Sequence, residues 1–394
     1  MEFGFTKEQD EFRRRVESFF ERELTPKLRA EVERNGSDWS LDLYMRMIKG
    51  GIGRLLIPPE YGGEHTCPMS MGVLHEVMAR AEVPRNVIAI FNSTLHHTSI
   101  VIMRSGTEEQ KQRWLPELFE GRLRCTQGLT EPGCGSDLAS VQMRAVEDGD
   151  EYVLTGQKIF NNGRLCTHII LATRTDPNVP KHKGITLFMT RIQDVPGVTI
   201  TPMVTTSGWE RNIVSFDEVR VSKRDMIGGK NEGWYVLMRQ MDLERSGINI
   251  NVEWVNAFEQ FVSWVKAQTR DGKPLAQHAA VRERLADLRR ELFIGWLLCY
   301  QIMDLQETKQ DATLRASFGK LYNSEIGEHL ANLAIDIAGR NGIAEKTGEL
   351  GAKYSPHKGL LSRLYKDSRI HQIAGGTSEI QRNIIAQRGL GLPR

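Results

Sequence analysis

Two stretches of this chain carry residue types and spacings that do chemistry. Ile373 to Gly391 reads IAGGTSEIQRNIIAQRGLG, in which Gly375 and Gly376 run straight into a helix start. Ser378 and Gln381 have capping-box spacing, with Thr377 as the alternative cap. Ile380, Ile384 and Ile385 then give the helix an apolar face. A bare Gly-Gly turn ahead of a helix N-terminus leaves amides free and lets a ligand approach the backbone, which suits an anion. The second stretch, Gln127 to Asp137, reads QGLTEPGCGSD. Its Gly-Cys-Gly-Ser-Asp turn exposes amides, and Thr130 and Ser136 add hydroxyls, a donor set for a flat heteroaromatic ring or a phosphate. Taken singly, the Gly-Gly stretch is more often an ordinary turn and helix start, and the Gln127–Asp137 stretch is equally well a capped β-turn.

Other reactive residue types point nowhere specific. The five cysteines (Cys67, Cys125, Cys134, Cys166, Cys299) are odd in number and form no CxxC pair. That argues against a disulfide framework or a zinc site and fits a reducing compartment. His96 and His97 are flanked by apolar residues, and His371 precedes the Gly-Gly turn. No HxxxH pattern or carboxylate cluster suggests a metal, so none is expected.

The elements that must position these stretches fall into three blocks. Residues 1–121 read as helical, with capping boxes at Thr6–Gln9 and Thr107–Gln110 and a Pro/Gly loop from Ile57 to Gly63. Residues 122–225 carry short β-rich runs: Tyr152–Leu154, Ile169–Ala172, Ile185–Phe188, Val198–Ile200 and Val214–Phe216. Turn residues separate them. This spacing predicts a compact antiparallel β domain, a sandwich or barrel. Residues 226–394 return to long helical patterns, notably 251–267 and 277–309. The fold class is therefore α+β. No strand–GxGxxG–helix unit is present, which argues against a Rossmann site.

QGLTEPGCGSD resembles the TEPxxGSD signature of the acyl-CoA dehydrogenase family. GQKIFNNG, Gly156 to Gly163, resembles that family's second flavin-contacting strand, and IAGGTSEIQR its C-terminal signature. The IPPEYGG loop, GTEEQKQRWLP and the Phe216–Val221 strand extend the likeness nearly end to end, in order. The resemblance implies a helical N-terminal domain, a middle β-barrel and a C-terminal four-helix bundle. It also implies FAD between β domain and bundle, part of its site coming from a neighbouring subunit. The implied substrate is an acyl-CoA thioester oxidised to the 2-enoyl-CoA, with electrons passing to an electron-transfer flavoprotein.

Carried over by position, Gln127, Leu129, Thr130, Gly135 and Ser136 are implied to contact flavin, and Ser136 also the acyl thioester end. Phe160 stands where a tryptophan is common, and it lacks the indole donor. Phe160, Asn161 and Asn162 are implied flavin contacts; the two asparagines stand where Ile/Thr and Ser/Thr are usual, and Asn162 keeps hydrogen-bonding ability toward the ring. Thr377 and Glu379 match adenosine-side and pyrophosphate-side positions. Two elements depart from the pattern. The usual Arg-x-x-Phe-Gly is replaced by Arg270-Asp271-Gly272-Lys273, and Asp336, ahead of Gly339, replaces a Gln. An acid there is a mild misfit beside phosphates.

The implied reaction needs a base for the proton α to the thioester. Many family members place a Glu directly before the Gly-Thr of the C-terminal signature, and here that position is Gly375. A second arrangement, as in isovaleryl-CoA and long-chain acyl-CoA dehydrogenases, puts the Glu on the first bundle helix. Met241-Asp242-Leu243-Glu244-Arg245 matches that segment, which makes Glu244 the expected base and Asp242 and Arg245 substrate-side residues. Gly375 is left with an amide to polarise the thioester carbonyl, and its missing side chain leaves room for a branched or bulky acyl group.

With 52 Lys+Arg against 50 Asp+Glu and a net charge of +2, nothing points to nucleic acid or an anionic membrane as partner. No signal peptide or spanning segment is apparent, so the expected location is the cytoplasm and the expected assembly a homo-oligomer, dimer or tetramer. Two other readings remain open at this point: a flavin monooxygenase on the same scaffold, and a partner subunit of a hetero-oligomeric dehydrogenase.

Overall fold

A computed structural model describes the chain apart from residues 1–3, 37, 56, 65–66, 245, 346–358 and 394; the side chains of residues 240–244 also lie outside the described part. The described residues fall into two compact units, Met1–Met71 with Ala81–Glu244, and Gly72–Arg80 with Arg245–Arg394.

The first unit begins with helices α1 (Lys7–Glu23), α2 (Pro26–Asn35), α3 (Leu41–Lys49), the start of α4 (Pro68–Arg80), α5 (Arg85–Phe91), α6 (Ser99–Ser105) and α7 (Glu108–Phe119). Their starts follow the local chemistry. Thr6 and Gln9 form a reciprocal capping box at α1, and Thr107 and Gln110 form another at α7. Gln110 also spends its amide on the carbonyls of Arg224 (2.8 Å) and Met226 (2.7 Å), fastening the helix start to the end of the sheet. Between α5 and α6 the chain widens into a π-helical turn, Asn92–Thr98, which contains both His96 and His97. Here Thr94 Oγ1 accepts from the Cys125 amide at 2.9 Å and joins the turn to the first strand.

Eight strands make one sheet: β1 (Cys125–Gly128), β2 (Arg144–Asp148), β3 (Glu151–Asn161), β4 (His168–Arg174), β5 (Ile185–Arg191), β6 (Val198–Val204), β7 (Glu210–Ser222) and β8 (Met226–Ile227). The order is β6-β7-β3-β2-β4-β5-β8, with β1 paired to β4. Every predicted run is a strand, but the all-antiparallel expectation needs correction. β1 lies parallel to β4 with Gln127 opposite Ile170, and β2 meets β4 in parallel at Arg144 and Arg174. The sheet is mixed because β1 and β4 are joined by the long β2–β3 excursion, not by a tight turn. Tyr152, Leu171, Phe188, Val214 and Phe216 form the buried core on one face.

The second unit is helical. After α8 (Gly233–Glu244), which closes the first unit, come α9 (Ile248–Ala267), α10 (Ala279–Glu307), α11 (Thr313–Ala338), α12 (Leu360–Ile373) and α13 (Ser378–Ile384). The first four of these pack into a bundle around Trp254, Phe258, Phe261, Leu292, Leu330 and Leu361, each at most 5% exposed. Within it, Asn251 Nδ2 donates to Asn323 Oδ1 (2.8 Å) and Trp254 Nε1 to the Asn323 carbonyl (3.1 Å). These bonds fix helix register, and Asn251 Oδ1 is left buried with no hydrogen-bond partner among the described residues. No described helix is long and apolar enough to cross a membrane, and no described cluster of His, Cys, Asp or Glu has the makings of a metal site.

Candidate cofactor and active site

The QGLTEPGCGSD stretch begins on β1 and leaves it as a turn in which Glu131 and Cys134 exchange backbone hydrogen bonds of 3.0 and 3.1 Å. What holds this turn in place is a buried ion pair that sequence reasoning missed. Lys158, on β3 and fully buried, donates to Glu131 Oε1 at 2.6 Å and to the Leu129 carbonyl at 3.1 Å. Glu131 also accepts from the amides of Gln142 (2.7 Å) and Met143 (3.0 Å). Burial pulls the Lys158 ammonium below its ordinary value, and Glu131 opposes that pull. A carboxylate with three donors is the arrangement in which a buried charge is tolerated. The Thr130 carbonyl, accepting from the Ile159 amide at 2.9 Å, completes the attachment to β3.

The pair thus fixes the turn, and the turn presents its outer residues. Gly135 and Ser136 are exposed, and Leu129 and Thr130 are half-buried. Gln127 Nε2 is buried with no hydrogen-bond partner among the described residues. An orphaned donor on the strand that leads into such a turn is the kind of group a bound ring satisfies.

β3 ends in a bulge, with its register to β7 shifting between Lys158 and Asn161. Phe160 sits in the bulge at φ +63° and is 56% exposed. An exposed aromatic held in the left-handed region is strained, and bulges of this sort re-aim side chains beside functional sites. Asn161 and Asn162 behave differently from one another. Asn161 is buried and spends both ends of its amide locally, Nδ2 on the Lys158 carbonyl (3.2 Å) and Oδ1 on the Gly163 amide (3.0 Å). It holds the bulge. Asn162 is half-buried; its amide N–H donates to Thr126 Oγ1 at 3.1 Å and its Oδ1 accepts from Arg211 at 2.8 Å.

In the second unit the Gly-Gly turn is built from three directions. Gly375 and Gly376 take φ +68° and +86°, conformations that explain glycine at both positions. Thr377 is the cap of α13, accepting from the Ile380 amide at 3.2 Å. Gln381 is therefore not half of a box with Ser378; its Nε2 reaches back to the carbonyls of Gly375 (3.1 Å) and Gly376 (3.4 Å). Lys320, buried on α11, donates to the Gly376 carbonyl at 2.6 Å. Ser378 Oγ and Gln381 Oε1 are buried with no hydrogen-bond partner among the described residues. Glu379 is exposed, its carboxyl held low by its own amide and the Thr377 hydroxyl.

A Cβ on Gly375 would meet nothing closer than Lys320 Cε at 4.0 Å, whereas one on Gly376 would lie 2.7 Å from Gln381 Nε2. Gly375→Ala is expected to cost about 1 kcal/mol, from backbone strain alone. Gly376→Ala, which also displaces the Gln381 brace, is expected to cost about 2–3 kcal/mol. Urea unfolding of the two variants checks this order, and equal midpoints would contradict it.

Burial brings the Lys320 ammonium down to about 8, against the opposing pull of Glu379 and Glu325. A lysine with a lower pKa folded than unfolded is, between those two values, neutral in the folded state and charged in the unfolded one. Unfolding then takes up a proton, so stability rises with pH across that window and is flat below it. The unfolding midpoint is expected to climb between about pH 8 and 10 more steeply in the parent than in Lys320→Met. Parallel pH profiles would remove Lys320 from this role.

The two departures from the expected pattern are partly relieved by neighbours. Asp336 pairs with Arg284 at 3.0 Å, which offsets an acid otherwise unfavourable near phosphate. Arg270 donates to the Ile337 carbonyl at 2.6 Å, so one arm of its guanidinium is already engaged. Gly339, at φ +59°, is the C-cap of α11. The side chains of Asp242 and Glu244, and all of Arg245, lie outside the described residues; the backbone of α8 runs to Glu244.

Each unit taken by itself carries residues suited to part of FAD: an orphaned buried donor on β1, an exposed turn and a re-aimed aromatic in the first, and orphaned buried polar atoms at the α13 start in the second. Family models for the N-terminal, middle and C-terminal domains of acyl-CoA dehydrogenase match residues 6–122, 126–220 and 231–390. The chain is similar to acyl-CoA dehydrogenase FadE29 of Mycobacterium tuberculosis, 29% identical over all of this chain and 99% of the relative. Among solved structures, it is 28% identical to a chain of the ChsE4–ChsE5 complex of the same organism, at TM-score 0.89. It is also 28% identical to a chain of the Tcur3481–Tcur3483 steroid ACAD, at TM-score 0.88; both likenesses cover each chain in full. On this evidence the chain belongs to the acyl-CoA dehydrogenase family.

Proposed function

We propose that this protein oxidises an acyl-CoA thioester to the 2-enoyl-CoA with Glu244 as the base. The single observation that carries the assignment is the pairing of a glycine at 375 with a glutamate at 244. Supporting it, the 375 position is a braced left-handed turn with open space where a side chain would stand. Glu244, at the end of α8, takes the α-proton, and Asp242 and Arg245 are assigned to substrate binding. The Gly375 amide hydrogen-bonds the thioester carbonyl, stabilising negative charge as the proton leaves. Bound FAD supplies the acceptor for the β-hydride. Gln127, Leu129, Thr130, Gly135, Ser136, Phe160 and Asn162 hold the ring, while Thr377 and Glu379 at the α13 start, with Arg270, Asp336 and Gly339, serve the rest of the dinucleotide. Electrons then leave to an electron-transfer flavoprotein.

The open space at Gly375 favours a branched or ring-bearing acyl group, and the steroid ACAD among the structural neighbours is in keeping with that. Initial rates on straight, branched and ring-bearing acyl-CoAs test it: bulky substrates should be turned over at least as well as short straight ones. A clear preference for short straight chains would sink the wide-pocket reading.

A second reading concerns assembly. ChsE4–ChsE5 and Tcur3481–Tcur3483 are both named as pairs of unlike chains, and Arg270 and Asp336 depart from the expected cofactor pattern. These observations favour an unlike partner subunit over the homo-oligomer that helix packing alone suggests. FAD per chain in protein purified alone distinguishes the two: near one supports self-assembly, and near zero, restored by a partner chain, supports the pair.

A further inference from the structure

Asn162, at the end of β3, is tied to a network that no assigned role requires. Arg211, on β7 and only 9% exposed, donates from Nη1 to Asn162 Oδ1 at 2.8 Å and to the Glu210 carbonyl at 3.3 Å. Its guanidinium lies over the Trp209 ring, 3.5 Å from the centroid. Trp209 is held in turn by Asn86 Oδ1, which accepts from its Nε1 at 2.7 Å, and by Arg85 on the same indole at 5.0 Å. The acidic neighbour Glu210 is engaged by Arg164 through both carboxylate oxygens, at 3.0 and 2.9 Å. The backbone contributes as well, since Asn161 opposes Asn212 across β3 and β7 just past the bulge.

Two consequences follow from this geometry. A guanidinium has donors only, so the Asn162 atom it meets must be the amide oxygen. The end of Asn162 left to face a ligand is then Nδ2, a donor. A rigid cation, fixed by an aromatic shelf, also stands one side chain away from that ligand.

We propose that Arg211 is a positioning residue that sets Asn162 as a donor toward the flavin and, by its charge, favours the reduced ring. This rests on the function proposed above, which puts FAD against Asn162. Charge and hydrogen bonds near the ring are the means by which a protein tunes a flavin.

The test is the two-electron midpoint potential of the FAD-loaded protein, with flavin content and thermal midpoint measured alongside. Arg211→Gln is expected to shift the reduced-to-oxidised ratio at fixed potential at least tenfold toward oxidised, about 30 mV for this couple. Arg211→Lys keeps the charge but loses the fork. Its thermal midpoint should fall as in Arg211→Gln, while its ratio stays within about threefold of the parent. A purely structural role would move both variants alike. If Arg211→Gln does not fold, Asn162→Ala carries the test, because it removes the amide and leaves Arg211 on Trp209; an unmoved potential there overturns the proposal. An FAD-loaded Arg211→Gln with the parent's potential overturns it too. A parent chain that binds no FAD, alone or with a partner, overturns instead the function on which it rests.

Discussion

Glu244→Gln is expected to lower kcat on acyl-CoA by about 10³-fold or more while leaving FAD bound. A positioned general base contributes about 10²–10⁴-fold, and this variant keeps the size of the side chain while removing its proton affinity. The glycine at 375 makes the loss large, because no carboxylate stands at that position to substitute. KM should change little, since the residue acts on the proton and not on the CoA portion. The check is steady-state turnover beside flavin absorbance. A variant with full flavin and more than a tenth of the parent's kcat would remove Glu244 from the mechanism.

The second large effect concerns the Lys158–Glu131 pair. Glu131→Gln removes the countercharge of a fully buried ammonium and replaces one of the two acceptor oxygens that serve Lys158 and two backbone amides with a donor. Removing one partner of a buried pair costs about 3–5 kcal/mol. The loss falls on the turn that carries Thr130, Gly135 and Ser136, so FAD occupancy should fall with stability. Urea unfolding by circular dichroism, with flavin release followed in parallel, reads both. Adding Lys158→Met to Glu131→Gln removes the stranded charge and should recover part of the loss. A single variant within about 1 kcal/mol of the parent would show that the pair does not hold the turn.

Much of the frame was legible in the sequence because it is written locally. The boxes at Thr6–Gln9 and Thr107–Gln110 need only three residues of spacing, and both form as read. The runs between 152 and 216 are rich in β-branched and aromatic residues and bounded by turn residues, and each lies in a strand. β1 did not read as a strand, since four residues, Cys-Thr-Gln-Gly, carry little pattern and owe their conformation to parallel pairing with β4. At the α13 start, sequence left Thr377 and Ser378 both open as caps; Thr377 serves, because Gln381 turns back to brace the glycine carbonyls instead.

The supports of the site were the least legible part. Lys158 and Glu131 are 27 residues apart, and nothing in that spacing pairs them. Phe160 gave no sign of its left-handed backbone, which a bulge imposes. Lys320 looks like one more polar residue in a helix, yet it is buried and bonded to Gly376. Asn161 and Asn162, adjacent and identical, were read together as flavin contacts. Asn161 is consumed by the fold and Asn162 is oriented by Arg211, a separation that only tertiary neighbours make.

The most direct test is the anaerobic reductive half-reaction. FAD-loaded protein, with its partner chain if one proves necessary, is mixed without oxygen or other acceptor with a ring-bearing or branched acyl-CoA. Loss of flavin absorbance is followed together with the acyl product. Bleaching of the flavin is expected, with one 2-enoyl-CoA formed per FAD reduced and neither seen in Glu244→Gln. Flavin that stays oxidised with every acyl-CoA, but turns over oxygen once reduced by NADH and a reductase, would contradict it and favour a monooxygenase on this scaffold.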